Sequence, residues 1–248
     1  MVNRELGRED FLKRFEMSED QIPDYFILEG TAPPLPKMER RKEFYDDIIL
    51  EYERSLPFFI GVKNGVKIGH SCTYGPSCSG ELAHQFSILG SDLIHIGSCG
   101  GLQGDLKIGD FIIPTEERAY DAFSGFYVNN VKSIKPSRKY VNKVCEVLEE
   151  RNLPHHRGKM ISFPSIFAES KDLIKEWSWK GYLAVEVEFA STFAVANHFN
   201  VDAFALAYIL DLPIREQSIY EGGDEFDRTR SERKREIMEV VFDVIENS

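Results

Sequence analysis

The feature that most constrains the fold is the alternation of short apolar segments with longer amphipathic ones. Tyr25–Gly30 and Phe204–Leu210 have the length and composition of buried β-strands, whereas 137–151 and 229–246 carry apolar residues at helical spacing. Strands that alternate with helices predict an α/β fold with helices on both faces of a sheet. Because no linker or repeat interrupts the pattern, we expect a single three-layer domain over residues 1–248, with a mixed central sheet.

Local signals place the remaining elements. Asn64-Gly65, between two apolar runs, is the strongest two-residue turn signal and predicts a hairpin over 58–69. A Pro-rich loop follows the first strand at 31–36. The other predicted helices are 8–17, 37–52, 77–89, 170–177 and 189–199, and the other predicted strands are 93–96, 111–114, 160–163 and 184–187.

The charge balance argues against polyanionic partners. The formal net charge is -11 and the isoelectric point is about 5.1, so the protein repels phosphate backbones and anionic lipid. We therefore expect neither nucleic acid nor a membrane as a partner. The basic clusters Arg40–Arg41 and Arg228–Lys234 are interleaved with acidic residues, which is typical of solvated surfaces.

Targeting and metal-binding signals are weak. No apolar run reaches the roughly 20 residues that span a bilayer, and the N-terminal ten residues have no apolar core of a signal peptide. The four cysteines lack C-x-x-C spacing and the six histidines form no ligand pattern. We expect a cytoplasmic protein with reduced thiols and no metal site.

Chemistry is concentrated where predicted strands end. In α/β folds, ligands bind at the carboxyl ends of the strands. Four places qualify in this chain, and each carries a glycine turn or a carboxylate: Gly30, Gly97–Gly101, Glu186–Glu188 and Asp211. We expect them to meet at one edge of the sheet.

Three of these segments together resemble the nucleoside phosphorylase family, which includes hexameric purine nucleoside phosphorylases, uridine phosphorylases and related nucleosidases. They are the motifs Ile94–Leu102 (IHIGSCGGL), Val185–Ala190 (VEVEFA) and Ala205–Asp211 (ALAYILD). Asp211 follows Glu188 by 23 residues, which leaves room for one helix and one strand, as in the purine enzymes. The resemblance covers about residues 25–247, so about residues 1–22 look like an N-terminal extension.

The resemblance implies a division of roles. Cleavage of a ribosidic C–N bond develops positive charge on the sugar and requires a proton for the departing base. Asp211 is the expected general acid. The other expected roles are sugar binding by Glu188, Val187 and Glu186, phosphate binding by Gly30, Arg54, His95, Gly97 and Ser98, and base binding by Phe163, Phe167 and Val185. No cofactor is implied beyond inorganic phosphate as co-substrate.

The resemblance also implies an assembly. Arg54 stands where the family has an arginine that reaches into a neighbouring subunit's site. We therefore expect a homodimer or homohexamer in which Arg54 completes the neighbour's pocket. The small-molecule partners implied are a nucleoside, weakly favoured to be a purine, and phosphate.

Two departures put phosphorolysis in question. The family has an arginine where this chain has His95, and a further arginine after the first strand where this chain reads Thr31–Pro34. A mostly neutral histidine does not replace the paired bonds of a guanidinium. Positive charge could return from Lys37, Arg40 or Arg41 on the next helix. The stretch 214–233, with Gly222-Gly223 and mixed charges, suggests a lid that Arg228 or Arg230 could serve.

Three functions therefore remain open on sequence grounds. The first is phosphorolysis of a nucleoside to free base and sugar 1-phosphate. The second is hydrolysis of a nucleoside on the same scaffold. The third is a non-catalytic descendant that binds a nucleoside, although such a protein has no physical reason to bury Glu188 and Asp211.

Overall fold

The computed structural model describes residues 5–31, 35–218 and 223–248, with residues 35, 36, 224 and 225 described by their backbone only. Parts of the predicted Pro-rich loop (32–34) and of the predicted lid (219–222) lie outside these ranges. The described strands are β1 Tyr25–Gly30, β2 Asp47–Tyr52, β3 Phe58–Lys63, β4 Val66–Thr73, β5 Asp92–Gly101, β6 Phe111–Ala119, β7 His155–Ser162, β8 Ala184–Glu186 and β9 Ala203–Asp211. The described α-helices are α1 Arg8–Phe15, α2 Leu35–Lys42, α3 Pro76–Leu89, α4 Arg138–Glu150, α5 Lys171–Trp179, α6 Phe189–Phe199 and α7 Asp224–Glu246.

The described strands form one mixed sheet, as the sequence predicts. Their order is β2-β3-β4-β1-β5-β8-β7-β6-β9, and β5 also pairs in parallel with β9. The strands β5, β8, β7, β6 and β9 therefore close into a ring. β5 lies at the junction of this ring with the open part of the sheet, so its end at Gly97–Gly101 borders β1, β8 and β9 together.

Helices cover the sheet on both faces, which confirms the three-layer prediction. One apolar core lies between the sheet and α1, α3 and α6, with Phe26, Phe86 and Phe193 fully buried. A second core packs α4 and α7 against the opposite face, with Ile94 and Val241 at its centre. No helix among residues 5–31, 35–218 and 223–248 is long and apolar enough to cross a membrane.

Most predicted elements are confirmed, but the long helix over 37–52 is wrong in its second half. The helix ends at Lys42, and Asp47–Tyr52 forms an antiparallel edge strand on β3. Ile48 and Ile49 are β-branched and favour a strand, and β3 presents an edge with which they pair. Periodicity alone could not reveal that partner.

Helix α1, which lies in the predicted N-terminal extension, packs into the core. Phe11 and Phe15 of α1 are buried, and the Phe15 ring stacks on Phe86 with ring centroids 5.8 Å apart. The Phe86 ring also lies 3.6 Å, centroid to centroid, from Phe26 of β1. The helix α1 thus covers an apolar surface at the base of β1 and α3.

This aromatic cluster predicts a large and local stability effect. Phe86→Ala should lower the free energy of unfolding by about 3–5 kcal/mol, because it removes a fully buried ring and leaves a cavity among other rings. Phe126→Ala is the matched control, since that ring is 76% exposed and its loss should change stability by less than about 0.5 kcal/mol. Urea titration measures both, and equal losses would contradict the packing described here.

Candidate functional site

The four predicted strand ends meet, and their glycines allow close approach. A side chain at Gly30 would lie 3.0 Å from Glu188 Oε2, and one at Gly97 would lie 3.7 Å from the Gly30 carbonyl oxygen. A side chain at Gly100 would lie 3.1 Å from Asp211 Oδ1. The ends of β1, β5, β8 and β9 thus surround one region, which we take as the candidate site.

Glu188 lies at the N-terminus of α6, with one oxygen anchored in the protein. Its Oε1 accepts a hydrogen bond from the Gly75 backbone N–H at 2.7 Å, whereas Oε2 points toward Gly30. Burial raises the pKa of Glu188 to about 7. The carboxyl group is therefore held in place by one oxygen and faces the candidate site with the other.

Glu186 is held by backbone amides, so no cationic partner is needed to explain its burial. Its Oε2 accepts hydrogen bonds from the N–H groups of Glu188 (2.5 Å) and Phe189 (2.8 Å) at the start of α6. Its Oε1 accepts one from the Ser162 hydroxyl. Both oxygens are engaged within the protein, so Glu186 fixes the entry of α6 and thereby the position of Glu188.

A further carboxyl group, Glu117, lies beneath Glu186 and was not anticipated from the sequence. The Ser162 hydroxyl is 3.3 Å from Glu117 Oε2, and it also accepts a hydrogen bond from the Ala190 N–H. One hydroxyl proton cannot serve two carboxylates, so one carboxyl must be protonated. Glu117 keeps that proton, because burial and the neighbouring Glu186 raise its pKa well above the usual value while amides favour the ionised form of Glu186.

Asp211 ends β9 and is half-buried beside Gly100. The structure places a second acid near it: burial and the charge of Asp211 raise the pKa of Glu169 to about 7. Two carboxyl groups that share a partly buried space favour one proton between them near neutral pH. An acid that can hold a proton at neutral pH is suited to protonate a leaving base.

A cationic pocket adjoins this region. We give this name to the cleft lined by Gly30, Gly97, Ser98, Arg41, Arg230 and Lys234. Arg41 makes a bidentate ion pair with Glu29, with both nitrogen–oxygen distances 2.7 Å, and its Nη1 donates to the Lys234 carbonyl oxygen at 2.9 Å. The pair joins the end of β1 to α2 and α7.

The remaining charge in the cationic pocket is positive. Burial, together with the charges of Arg230 and Lys37, lowers the pKa of Lys234 to about 8. Burial and the charge of Arg230 likewise lower the pKa of Lys37. Arg230 Nε is buried with no hydrogen-bond partner within the described ranges. Arg41 is matched by Glu29, whereas the charges of Arg230 and Lys234 act on each other, and this excess of positive charge favours binding of an anion.

The basic clusters are therefore not merely solvated faces, as the sequence suggested. Arg40 and Arg228 are exposed, but Arg41 is buried, and Arg230 and Lys234 are half-buried in the cationic pocket. Three and four residues along a helix bring side chains to one face, so Arg230 and Lys234 of α7 turn inward together. The cationic side chains that line the pocket thus come from α2 and α7.

The other expected site residues differ in how much of each side chain is exposed to solvent. Val187 is half-buried between the two glutamates, and Val185 is buried in a small core with Trp177. Phe163 packs edge-on against Tyr120 and Trp177, whereas Phe167 is 88% exposed. Arg54 is on the surface, 3.0 Å from Glu16, and does not line the described pocket of its own chain.

His70 and Cys72 also approach Glu29, which gives a buried group with metal-ligand chemistry. Their ligand atoms and those of Glu29 lie within 4.8 Å of one another. His70 Nε2 is 3.3 Å from Glu29 Oε2, but Arg41 Nε already donates to that oxygen. A metal ion there would displace the guanidinium group, so we assign these residues to the hydrogen-bond network that holds Arg41.

Sequence reasoning missed Glu29, Glu117, Glu169 and Lys234. A signal existed for Glu29 alone, since a charged residue inside the apolar strand Tyr25–Gly30 needs a partner. Lys234 looks like any other lysine of a charged helix. Glu117 and Glu169 become informative only when their neighbours in space are known.

Comparisons with known proteins all identify phosphorylases as similar proteins. The family model described as "Phosphorylase superfamily" matches residues 43–246. The purine nucleoside phosphorylase (DeoD-type) of Thermoanaerobacter sp. strain X514 is 28% identical over 200 residues, covering 78% of this chain and 84% of the relative. A guanosine phosphorylase of Halorubrum lacusprofundi is 26% identical over 141 residues, covering 56% of this chain and 58% of the relative. The uridine phosphorylase of Vibrio fischeri ES114 shares the fold, with a TM-score of 0.81, 19% identity, and coverage of 93% of this chain and 95% of that one.

The buried acids predict how stability depends on pH. Burial raises the pKa of Glu169 and of Glu188 to about 7. Above pH 4.5 the folded state therefore binds more protons than the unfolded state, and the stability this contributes is lost as the pH rises through the folded-state pKa. Burial lowers the pKa values of His95 and Lys234, so the stability that these two groups contribute rises with pH. The contribution of His95 rises below about pH 6.5, and that of Lys234 rises from about pH 8 upward.

The free energy of unfolding should therefore fall between pH 6.5 and 7.5. Glu188→Gln removes one of the titrating groups and should make this fall less steep. Glu39→Gln is the control, since that side chain is 70% exposed and the slope should not change. Urea titrations at several pH values measure the slope, and stability that rises across this window would contradict the assignment.

Proposed function

Because the chain belongs to the phosphorylase superfamily, within its nucleoside phosphorylases, we propose that it cleaves the N-glycosidic bond of a purine nucleoside with inorganic phosphate. The products are a free base and a sugar 1-phosphate. We expect no cofactor, and we expect the reaction to occur in the cytoplasm.

The observation that carries this proposal is the cationic pocket beside Gly30, Gly97 and Ser98. Phosphorolysis requires a site that holds a phosphate dianion next to the sugar, and the cations of α2 and α7 supply the charge for it. Backbone N–H groups of the glycine turn and the Ser98 hydroxyl can add neutral hydrogen bonds. Attack by water needs no such concentration of positive charge, so the pocket favours phosphorolysis over hydrolysis.

The carboxyl groups suit the other half of the reaction. Phosphate attacks C1′ of the sugar while the C–N bond breaks, and the bonding electrons pass into the base. Asp211, in its protonated form, donates its proton to the departing base, and Glu169 keeps that proton available near neutral pH. Glu188 accepts hydrogen bonds from the sugar and stabilises the developing positive charge.

The preference for a purine rests on two relatives and stays a proposal. Their names specify a purine nucleoside phosphorylase and a guanosine phosphorylase. Phe163, Phe167 and Val185 remain the predicted base contacts, and Glu186 with Val187 the predicted neighbours of the sugar. Phe167 is exposed in the single chain, so it can contact a base only in a cleft that other groups complete.

Such a group can come from a second copy of the chain. Arg54 lies on the surface in an exposed ion pair, which contributes little to the stability of its own chain. We propose a homodimer or a larger closed assembly in which Arg54 reaches the phosphate of the neighbouring site. An active monomer in sedimentation experiments would contradict this arrangement.

Replacing Asp211, the proposed general acid, or Glu188, the proposed sugar-binding residue, should abolish most of the activity. Asp211→Asn and Glu188→Gln should each lower kcat/KM by at least about 100-fold, the lower range for a general acid. The assay follows base release from a purine nucleoside with and without phosphate and identifies the sugar product by mass. Glu39→Gln is the control, and free sugar formed at a rate indifferent to phosphate would contradict phosphorolysis.

The cationic pocket predicts a specific effect on phosphate. Arg230→Met and Lys234→Met should each raise the KM for phosphate by roughly 10-fold or more, since each removes a charged hydrogen-bond donor of about 1.5–3 kcal/mol. The KM for the nucleoside should change much less. Arg235→Met is the matched control, because that exposed arginine of the same helix faces solvent. An unchanged KM for phosphate in both pocket variants would contradict the assignment of the cationic pocket to phosphate binding.

A further inference from the structure

One nitrogen and one oxygen of buried side chains face Gly30, and we call the space between them the gap. A Cβ atom at this position would lie 3.0 Å from Glu188 Oε2 and 3.7 Å from His95 Nε2. The two polar atoms therefore lie within about 7 Å of each other, with no side chain of residue 30 between them. A ligand group that enters beside Gly30 can thus approach both atoms.

His95 is fully buried, and only one of its ring nitrogens is engaged. Nδ1 lies 2.7 Å from Thr192 Oγ1, and the ring packs against Phe189 with ring centroids 4.8 Å apart. Nε2 is buried with no hydrogen-bond partner in the described part of the chain. Buried polar atoms are nearly always paired, so a bound molecule is the natural partner for Nε2.

The chemistry of the gap fits a hydroxyl group better than a phosphate oxygen. Burial lowers the pKa of His95 to about 3, so the ring is neutral near pH 7. When the Thr192 hydroxyl donates to Nδ1, Nε2 carries the proton and acts as a donor. A hydroxyl oxygen can accept from Nε2–H and donate to Glu188 Oε2, whereas an anionic oxygen would be repelled by the glutamate.

We propose that His95 and Glu188 together hold one hydroxyl group of the sugar, so that the enzyme selects ribonucleosides over the deoxynucleoside that lacks this hydroxyl. This inference rests on the proposed function and deepens it by naming the sugar class. It also moves His95 from the phosphate-binding set, where the sequence placed it, to the sugar-binding set. The anion is left to the cationic pocket, which shares Gly30 with this gap.

The test combines a substitution with a change of substrate. Wild type, His95→Phe and His95→Gln are assayed with a ribonucleoside and with its 2′-deoxy and 3′-deoxy analogues. Wild type should discriminate against one deoxy analogue by roughly 10- to 100-fold in kcat/KM. In His95→Phe this ratio should fall toward one, because the hydroxyl has lost its donor, and the KM for phosphate should stay within about two-fold.

Two variants guard the interpretation. His95→Gln, whose amide can still donate, should recover part of the discrimination. His198→Phe is the matched control, because that exposed residue lies on α6 and its loss should leave the ratio unchanged. Thermal unfolding confirms that each variant is folded. Equal losses on all three substrates, or a large rise in the phosphate KM of His95→Phe, would overturn the proposal.

Calorimetric binding of the same three nucleosides separates this proposal from the proposed function. If wild type cleaves none of them but binds the ribonucleoside more tightly in a His95-dependent way, the catalytic proposal fails and this one stands. If wild type cleaves nucleosides yet His95→Phe discriminates as wild type does in both binding and turnover, this proposal fails alone. If neither binding nor turnover depends on the hydroxyl group, the proposal that His95 and Glu188 hold this hydroxyl is likewise overturned.

Discussion

The candidate site depends on the buried ion pair between Glu29 and Arg41. Glu29 ends the strand that supplies Gly30, and Arg41 reaches it from α2 while donating to the Lys234 carbonyl oxygen of α7. Breaking a buried pair of this kind typically costs about 3–5 kcal/mol, because the remaining charge stays buried without a partner. His70 and Tyr45 extend the network behind the pair, and both side chains are buried. Three elements that are distant in sequence are thereby held around one cleft.

Charge is segregated across the strand ends that this pair helps to position. On one side Lys37, Arg230 and Lys234 concentrate positive charge, and on the other side lie the carboxyl groups of Glu117, Glu186 and Glu188. Each group is stabilised locally, the acids by amides and protons and the cations by an anion that the cleft can admit. A reaction between an anion and an electron-poor sugar suits this separation.

The sequence predicted the architecture and the meeting of the four strand ends, because both follow from periodicity and from the geometry of α/β sheets. It failed where the answer depended on partners in space. The segment 37–52 is predicted as one helix, but the edge of β3 makes its second half a strand. Glu186 is a buried carboxylate at the end of an apolar strand, and its hydrogen-bond donors come from the N-terminus of α6. Arg230 and Lys234 have the composition of a solvated helix face, and only the packing of α7 against β9 and Arg41 turns them inward.

His95 stands where the family has an arginine, and this difference bears on where the proposed enzyme could hold an anion. An arginine at this position would extend a charged fork into the space between Gly30 and Glu188, where it could serve an anion and a sugar at once. A neutral, fully buried imidazole cannot carry the charge, so the anion must be held elsewhere, and the cations of α2 and α7 lie beside the same glycine. Under the proposed function, the two departures that put phosphorolysis in question are linked. The cations of the helices would hold the anion, and the position of His95 would suit a group that needs only a hydrogen bond.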